Sequence, residues 1–103
     1  MTGPASESRP RRRLLLFVAG SEPNSLAAQQ NLARLRESVT HCDLDCEMLD
    51  VVEHFDVALE HNVLVTPCLV LVDPPPRTMI VGTLRDLAKV RAALRIDKDD
   101  AHG

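Results

Sequence analysis

The sequence predicts an α/β domain in which helices cover both faces of a mixed sheet, its elements running strand, helix, strand, helix, strand, strand, helix. Two short apolar runs, Leu14 to Ala19 and Cys68 to Val72, stop at turn residues and have the length of strands buried on both faces. Segments of helical period follow each of them, around Leu32 and Leu35 and around Leu87 and Leu94. A strand followed by a helix predicts a crossover to a parallel neighbour, and a sheet with helices on both faces is the economical packing.

The elements follow in order. Residues 1–10, with Gly3, Pro4 and Pro10, have no apolar period and are expected to form a disordered tail. One domain is expected over residues 11–96, with a charged C-terminal tail over 97–103. Arg11, Arg12 and Arg13 read as a solvated approach to the first strand, Leu14 to Ala19, which Gly20-Ser21 ends. Pro23 suits a first helical turn and opens a helix to about Ser38, with Leu26, Leu32, Leu35 and Val39 on its apolar side beside Ala27, Ala28 and Ala33. From Leu44 to Val51, Leu44, Cys46 and Met48 alternate with Asp45 and Glu47, as in an edge strand with one wet face.

Glu53 to His61 reads as a short helix whose single apolar stripe is Phe55, Ala58 and Leu59, with Val52 just before it. Pro67 keeps Thr66 out of the helical region, and the strand Cys68 to Val72 runs into Asp73-Pro74-Pro75-Pro76. Thr78 to Val81 is close enough to pair antiparallel across that loop. Gly82 releases the chain, Thr83-Leu84-Arg85-Asp86 reads as a capping box, and Leu84, Leu87, Ala88 and Leu94 form the packing face of the last helix. Val63, Leu64, Val65 and Val81 suit either a strand or a core-facing helix end, so the C-terminal half is locally ambiguous.

Composition narrows the function. A chain of 103 residues folds as one domain that buries roughly two thirds of its unfolded surface. Phe17 and Phe55 are its only aromatic residues, so Leu, Val and Ala build the core. A formal net charge of -3 gives no long-range attraction for nucleic acid, and a protein or small-molecule partner is expected instead. No apolar segment approaches the ~20 residues of a membrane helix. Arg9 to Gly20 imitates a signal peptide, but its apolar run is of minimum length and is needed as the first strand. Three cysteines without Cys-x-x-Cys spacing indicate neither a disulfide framework nor a zinc ribbon, and the expected compartment is the reducing cytoplasm.

Candidate chemistry is sparse. A reactive thiol needs a helix N-terminus or a cation beside it. Cys42 and Cys46 instead stand among Asp43, Asp45 and Glu47, and Cys68 enters a buried strand as a small hydrophobe. His41, Cys42 and Cys46 lack a fourth metal ligand, and His54, His61 and His102 are scattered. Neither a glycine-rich phosphate loop nor a Ser, His and acid set stands out, so no enzyme, cofactor or metal is expected.

Val65-Thr66-Pro67, the strand after it and the closing helix resemble the second half of a thioredoxin-like domain. The matching first half has Gly20-Ser21-Glu22-Pro23 where a thioredoxin carries its cysteine pair. Within that scaffold the chain from 14 to about 95 resembles the KaiB family of circadian-clock proteins. Val18-Ala19-Gly20, Pro23-Asn24-Ser25, Asp50-Val51, Leu64, Thr66-Pro67 with Leu69, Pro74-Pro75-Pro76 and Ile80-Val81-Gly82 with Leu84 carry the resemblance. It implies a non-enzymatic signalling adaptor that is metamorphic. The chain would exchange a self-associated state, a dimer or tetramer, for a thioredoxin-like monomer that binds the KaiC-type ATPase, with KaiA-like or histidine-kinase regulators as further partners. The half implied to change fold runs from about Val51, and Pro23, Asn24, Ser25, Thr66, Pro67, Pro74, Pro75, Pro76 and Gly82 are the motif residues of that switch.

The chain departs from the family where lysines are usual. Glu47 and Asn62 replace them and, with Asp45, make a candidate partner surface of altered charge. Thr83 and Arg85 replace the family's Asp and Ser after the glycine. A divergent paralogue in another signalling or stress pathway is the corresponding variant of this reading. The alternative from a different class is a thioredoxin-like redox or stress sensor using Cys68 or Cys46. A third, a phosphate or membrane-surface binder acting through Arg9 and Arg11 to Arg13, predicts steep salt dependence.

Overall fold

A computed structural model describes residues 10–96, and within them the expected order of elements holds: β1 (Arg11–Val18), α1 (Pro23–Ser38), β2 (Asp43–Asp50), α2 (Phe55–Glu60), β3 (Cys68–Asp73), β4 (Thr78–Val81) and α3 (Leu87–Ala93). The expected tails, apart from Pro10, lie outside the described residues. The strands form one sheet in the order β2-β1-β3-β4, with β1 and β2 parallel and the β1–β3 and β3–β4 pairs antiparallel.

The continuous apolar run of β1 is explained by its central place. Successive side chains point to opposite faces of a strand. Leu14, Leu16 and Val18 join Leu32, Leu35, Leu69, Leu71, Val90 and Leu94 under α1 and α3, while Leu15 and Phe17 join Leu49, Ala58, Val63, Cys68 and Val70 under α2. The sheet therefore separates a layer of two helices from a layer holding one short helix.

The same alternation corrects the reading of the arginines, which belong to the strand. Arg11 and Arg13 reach across to the edge strand, at 3.8 and 3.3 Å from Asp45, and Arg13 also lies 3.4 Å from Glu47. Arg12 turns to the other face and donates to the carbonyls of Leu94 at 2.9 Å and Arg95 at 2.8 Å. It thereby ties the end of α3 to β1.

Three packing expectations change. Leu26 is 44% exposed because α1 meets the sheet through Ala28, Leu32 and Leu35. No capping box forms at Thr83: the backbone takes positive φ at Gly82 (118°) and Leu84 (65°), which bends the chain away from a helical path. α3 starts at Leu87 after Asp86, whose carboxylate accepts from the Lys89 N–H at 3.2 Å. Leu84 is thus buried from a loop, Ala88 is exposed, and Val90 and Ile96 supply the burial expected of the helix face. The Thr66–Pro67, Asp73–Pro74 and Pro75–Pro76 peptide bonds are cis.

Candidate functional site

The register brings four chain segments to one end of the sheet. Val18 pairs with Asp50, Phe17 with Cys68 and Cys68 with Val81, so the turn after β1, the segment after β2, the loop before β3 and the turn after β4 all gather there. Pro23, Asn24, Ser25, Thr66, Pro67 and Gly82 are brought to this end. Pro74, Pro75 and Pro76 connect the opposite ends of β3 and β4, where Arg95 donates to the carbonyls of Pro74 and Pro75 at 3.1 and 3.5 Å.

Local hydrogen bonds hold this end together without any sulfur. Gly20 takes φ 55°, and its N–H donates to an Asp50 carboxylate oxygen at 3.1 Å, while the other oxygen accepts from the Val52 N–H at 2.9 Å. Asp50 thus joins the turn after β1 to the segment leading into α2. Ser25 is fully buried, and its hydroxyl accepts from the Ala19 N–H at 3.1 Å. The Gly82 N–H donates to the Pro67 carbonyl at 2.9 Å, which fixes the turn after β4 against the proline loop. These are scaffold bonds, and none presents a nucleophile.

Of the thiols, Cys68 lies at this end, as the first residue of β3, and Cys42 and Cys46 lie in or just before β2. Cys42 and Cys68 are buried and Cys46 is half-buried. Burial pushes the Cys68 thiol up from 9.0 to about 11. Burial also raises Cys46, with Asp45 adding to the rise and Arg36 opposing it. A raised pKa keeps the protonated, unreactive form at neutral pH. Among the described residues, no group of His, Cys, Asp and Glu is arranged to hold a metal ion.

What the gathered segments present is apolar surface. Val52 is 80% exposed and Leu64 87%, and Phe55, Leu59, Val65 and Val81 are also more than half exposed. The expected stripe of α2 is corrected here: Phe55 and Leu59 face outward, and the helix is held to the sheet by Ala58, with Val63 just beyond it. A six-residue helix carrying Phe55, Val57, Ala58 and Leu59 has more apolar surface than its contact with the sheet can cover. That surplus is visible in the sequence, but its outward direction is not.

Charge gives the surface a sign. Between Asp43 and Asn62 the chain has no Lys or Arg. Arg11 and Arg13 pair with Asp45 and Glu47, and Asp50 is bonded to backbone, which leaves Glu53, Asp56 and Glu60 exposed beside the apolar residues. Of the predicted partner surface, Asp45 and Glu47 lie along the edge strand, whereas Asn62, at φ 60°, follows α2. Among the described residues, no hydrogen bond or ion pair joins Asn62 to either acid.

Comparison with known proteins places the chain. The KaiB domain family model matches residues 15–96. The chain is 36% identical over 87 residues to the circadian clock oscillator protein KaiB of Gloeothece citriformis (strain PCC 7424), an alignment covering 84% of this chain and 82% of that one. It is 34% identical over 87 residues to KaiB1 of Synechocystis sp. (strain ATCC 27184 / PCC 6803 / Kazusa), covering 84% and 83%. Among solved structures, the N-terminal domain of Synechococcus elongatus SasA superposes with TM-score 0.69 at 22% identity, covering 88% of this chain and 89% of the domain. Mitochondrial thioredoxin 3 of Saccharomyces cerevisiae gives TM-score 0.68 at 21% identity, covering 88% of each chain. Those likenesses establish a thioredoxin-like fold, and the sequence matches establish the rest: this chain belongs to the KaiB family.

Proposed function

We propose that this protein is a non-enzymatic regulatory adaptor that binds a KaiC-type ATPase, with KaiA-like or histidine-kinase regulators as further partners. The observation that carries the reading is the exposed apolar end of the sheet, where Val52, Phe55, Leu64 and Val65 gather. Large apolar side chains left exposed on neighbouring segments, beyond the single ones any surface carries, support an interaction site. Buried thiols of raised pKa and a sulfur-free turn after β1 support binding over redox chemistry.

Binding is coupled to a change of fold and of oligomeric state. Residues 63–65 and Val81, which suit either strand or helix, support a C-terminal half with two packings separated by a few kcal/mol. A partner with differential affinity then selects one of them.

The test is co-elution of the chain with a KaiC-type ATPase from the same genome. Wild type is expected to form a complex with slow onset, and Phe55→Ala is expected to weaken it by about thirtyfold, as loss of an aromatic anchor does. NMR secondary-structure shifts over residues 50–95, recorded with and without the ATPase, report the change of fold. Absence of any complex overturns the reading.

A further inference from the structure

The two edges of the sheet are guarded differently. β2 has Asp43, Asp45, Glu47 and Asp50 along its length, the kind of charge that keeps an exposed edge from pairing with another chain. β4, the opposite edge, reads Thr-Met-Ile-Val and has neither a charge nor a proline of its own. In an antiparallel pair, alternate residues turn their N–H and C=O away from the neighbouring strand. Among the described residues, no segment hydrogen-bonds to that outer side of β4.

Both faces beside this edge are apolar. Ile80 pairs with Leu69 and faces α3, while Met79 and Val81, opposite Val70 and Cys68, face the α2 layer and are exposed. On the α3 face a groove of about 400 Å³ opens between strand and helix, lined by Ile80, Leu84, Val90 and Ala93. Exposed Arg85 and Lys89 border it, and among the described residues neither forms an ion pair. Asp86, the acid between them, is engaged as the cap of α3. The Asn31 side chain holds the loop that carries Leu84 by donating to the Thr83 carbonyl at 2.8 Å.

We propose that the outer edge of β4 accepts an extended, acidic and apolar segment of a partner protein as an added strand. The backbone of that segment pairs with the open N–H and C=O groups of β4, and this main-chain pairing supplies affinity. Its side chains alternate between the two faces and supply selection. Those on one face lie against Ile80, Leu84 and Val90, with carboxylates at Arg85 and Lys89; those on the other lie against Met79 and Val81. Charge decides which segments are accepted, since a basic one meets two unpaired cations and an acidic one neutralises them. The contact does not rest on the ATPase binding proposed above, and it is tested on the isolated chain.

The experiment is an NMR titration of the full chain with three peptides: acetyl-Glu-Val-Val-Val-Glu-amide, its analogue with lysine at both ends, and the acidic peptide N-methylated at all three valines. The acidic peptide is expected to move the amide signals of Thr78 to Val81 and of Leu84, and to slow hydrogen exchange at the outward amides of β4. The lysine analogue should bind at least about tenfold more weakly, and so should the methylated peptide, whose valines cannot donate to the edge. Arg85→Glu with Lys89→Glu, checked for native circular dichroism, should reverse the preference in favour of the lysine peptide, a gain that an unfolded variant cannot show. No binding, shifts confined to α2 or β2, an unaltered preference in the double variant, or a methylated peptide that binds as well as its parent overturns the proposal. So do β4 amides that shift with protein concentration alone, which would make a second copy the occupant of the edge.

Discussion

Cys68 lies between Phe17 and Val81 in the sheet, and its burial raises the thiol from 9.0 to about 11. The consequence for stability has a definite sign. Below pH 9 the thiol is protonated in both the folded and the unfolded chain. Between pH 9 and about 11 the unfolded chain releases a proton that the native state retains, so stability falls as pH rises through this window. Urea midpoints at pH 8 and pH 10.5 should therefore differ less for Cys68→Ala than for wild type, whatever the substitution costs at pH 8. Equal alkaline losses in the two proteins would remove Cys68 from the argument. For the same reason, iodoacetamide should leave Cys68 unmodified in the native protein at pH 7 and label it in urea.

At the scale of elements, what holds α3 is a set of polar contacts that no hydrophobic pattern announces. Arg12 donates to two carbonyls at the end of α3, and His41 Nε2 lies 3.1 Å from the carbonyl of Ile96. Arg12→Ala should lower stability by about 1.5 kcal/mol, the scale of hydrogen bonds from a charged donor, and Arg12→Lys should restore only part of it because an ammonium lacks the planar fork. Chemical denaturation measures both; a neutral Arg12→Ala would show that α3 stands on apolar packing alone. Asp86→Ala removes the cap accepting from Lys89 and should cost about 1 kcal/mol by the same measurement.

These contacts also show where the sequence was legible. The helix Pro23–Ser38 and the strand Thr78–Val81 begin and end where Pro23, Ser38 and Gly82 predict, because a strong period meets clear punctuation. The start of α3 departs from the expected capping box because two residues of positive φ, one of them a leucine, precede it, and nothing local in Thr83-Leu84-Arg85-Asp86 announces that bend. The direction of α2 departs from its pattern for a different reason. Phe55 and Leu59 stand four apart on one helical face, as core residues do, and only tertiary packing chooses Ala58 over them. The residues of the switch motif were named from the resemblance, while the exposed Val52, Leu64 and Val65 emerged only from the fold.

At the scale of the whole molecule the two faces of the sheet are unequally supported. α1 and α3 bury Ala28, Leu32, Leu35 and Val90 on one face, with Leu94 just after α3, whereas α2 buries only Ala58 of its own residues on the other. Local opening free energy follows the apolar area an element buries, so α2 and the segment to Thr66 should open without unfolding the rest. In and just after α2, the Ala58 N–H donates to the His54 carbonyl at 3.0 Å, the His61 N–H to the Val57 carbonyl at 3.2 Å and the Val63 N–H to the Ala58 carbonyl at 2.9 Å. Native-state hydrogen exchange is therefore expected to show these amides exchanging at least about a hundredfold faster than those of Leu15, Leu16, Leu69 and Val70, a gap of ~3 kcal/mol between local and global opening. Protection of α2 equal to that of β1 and β3 would mean that the C-terminal half opens only with the whole, and a chain built that way has no separate element for a partner to capture.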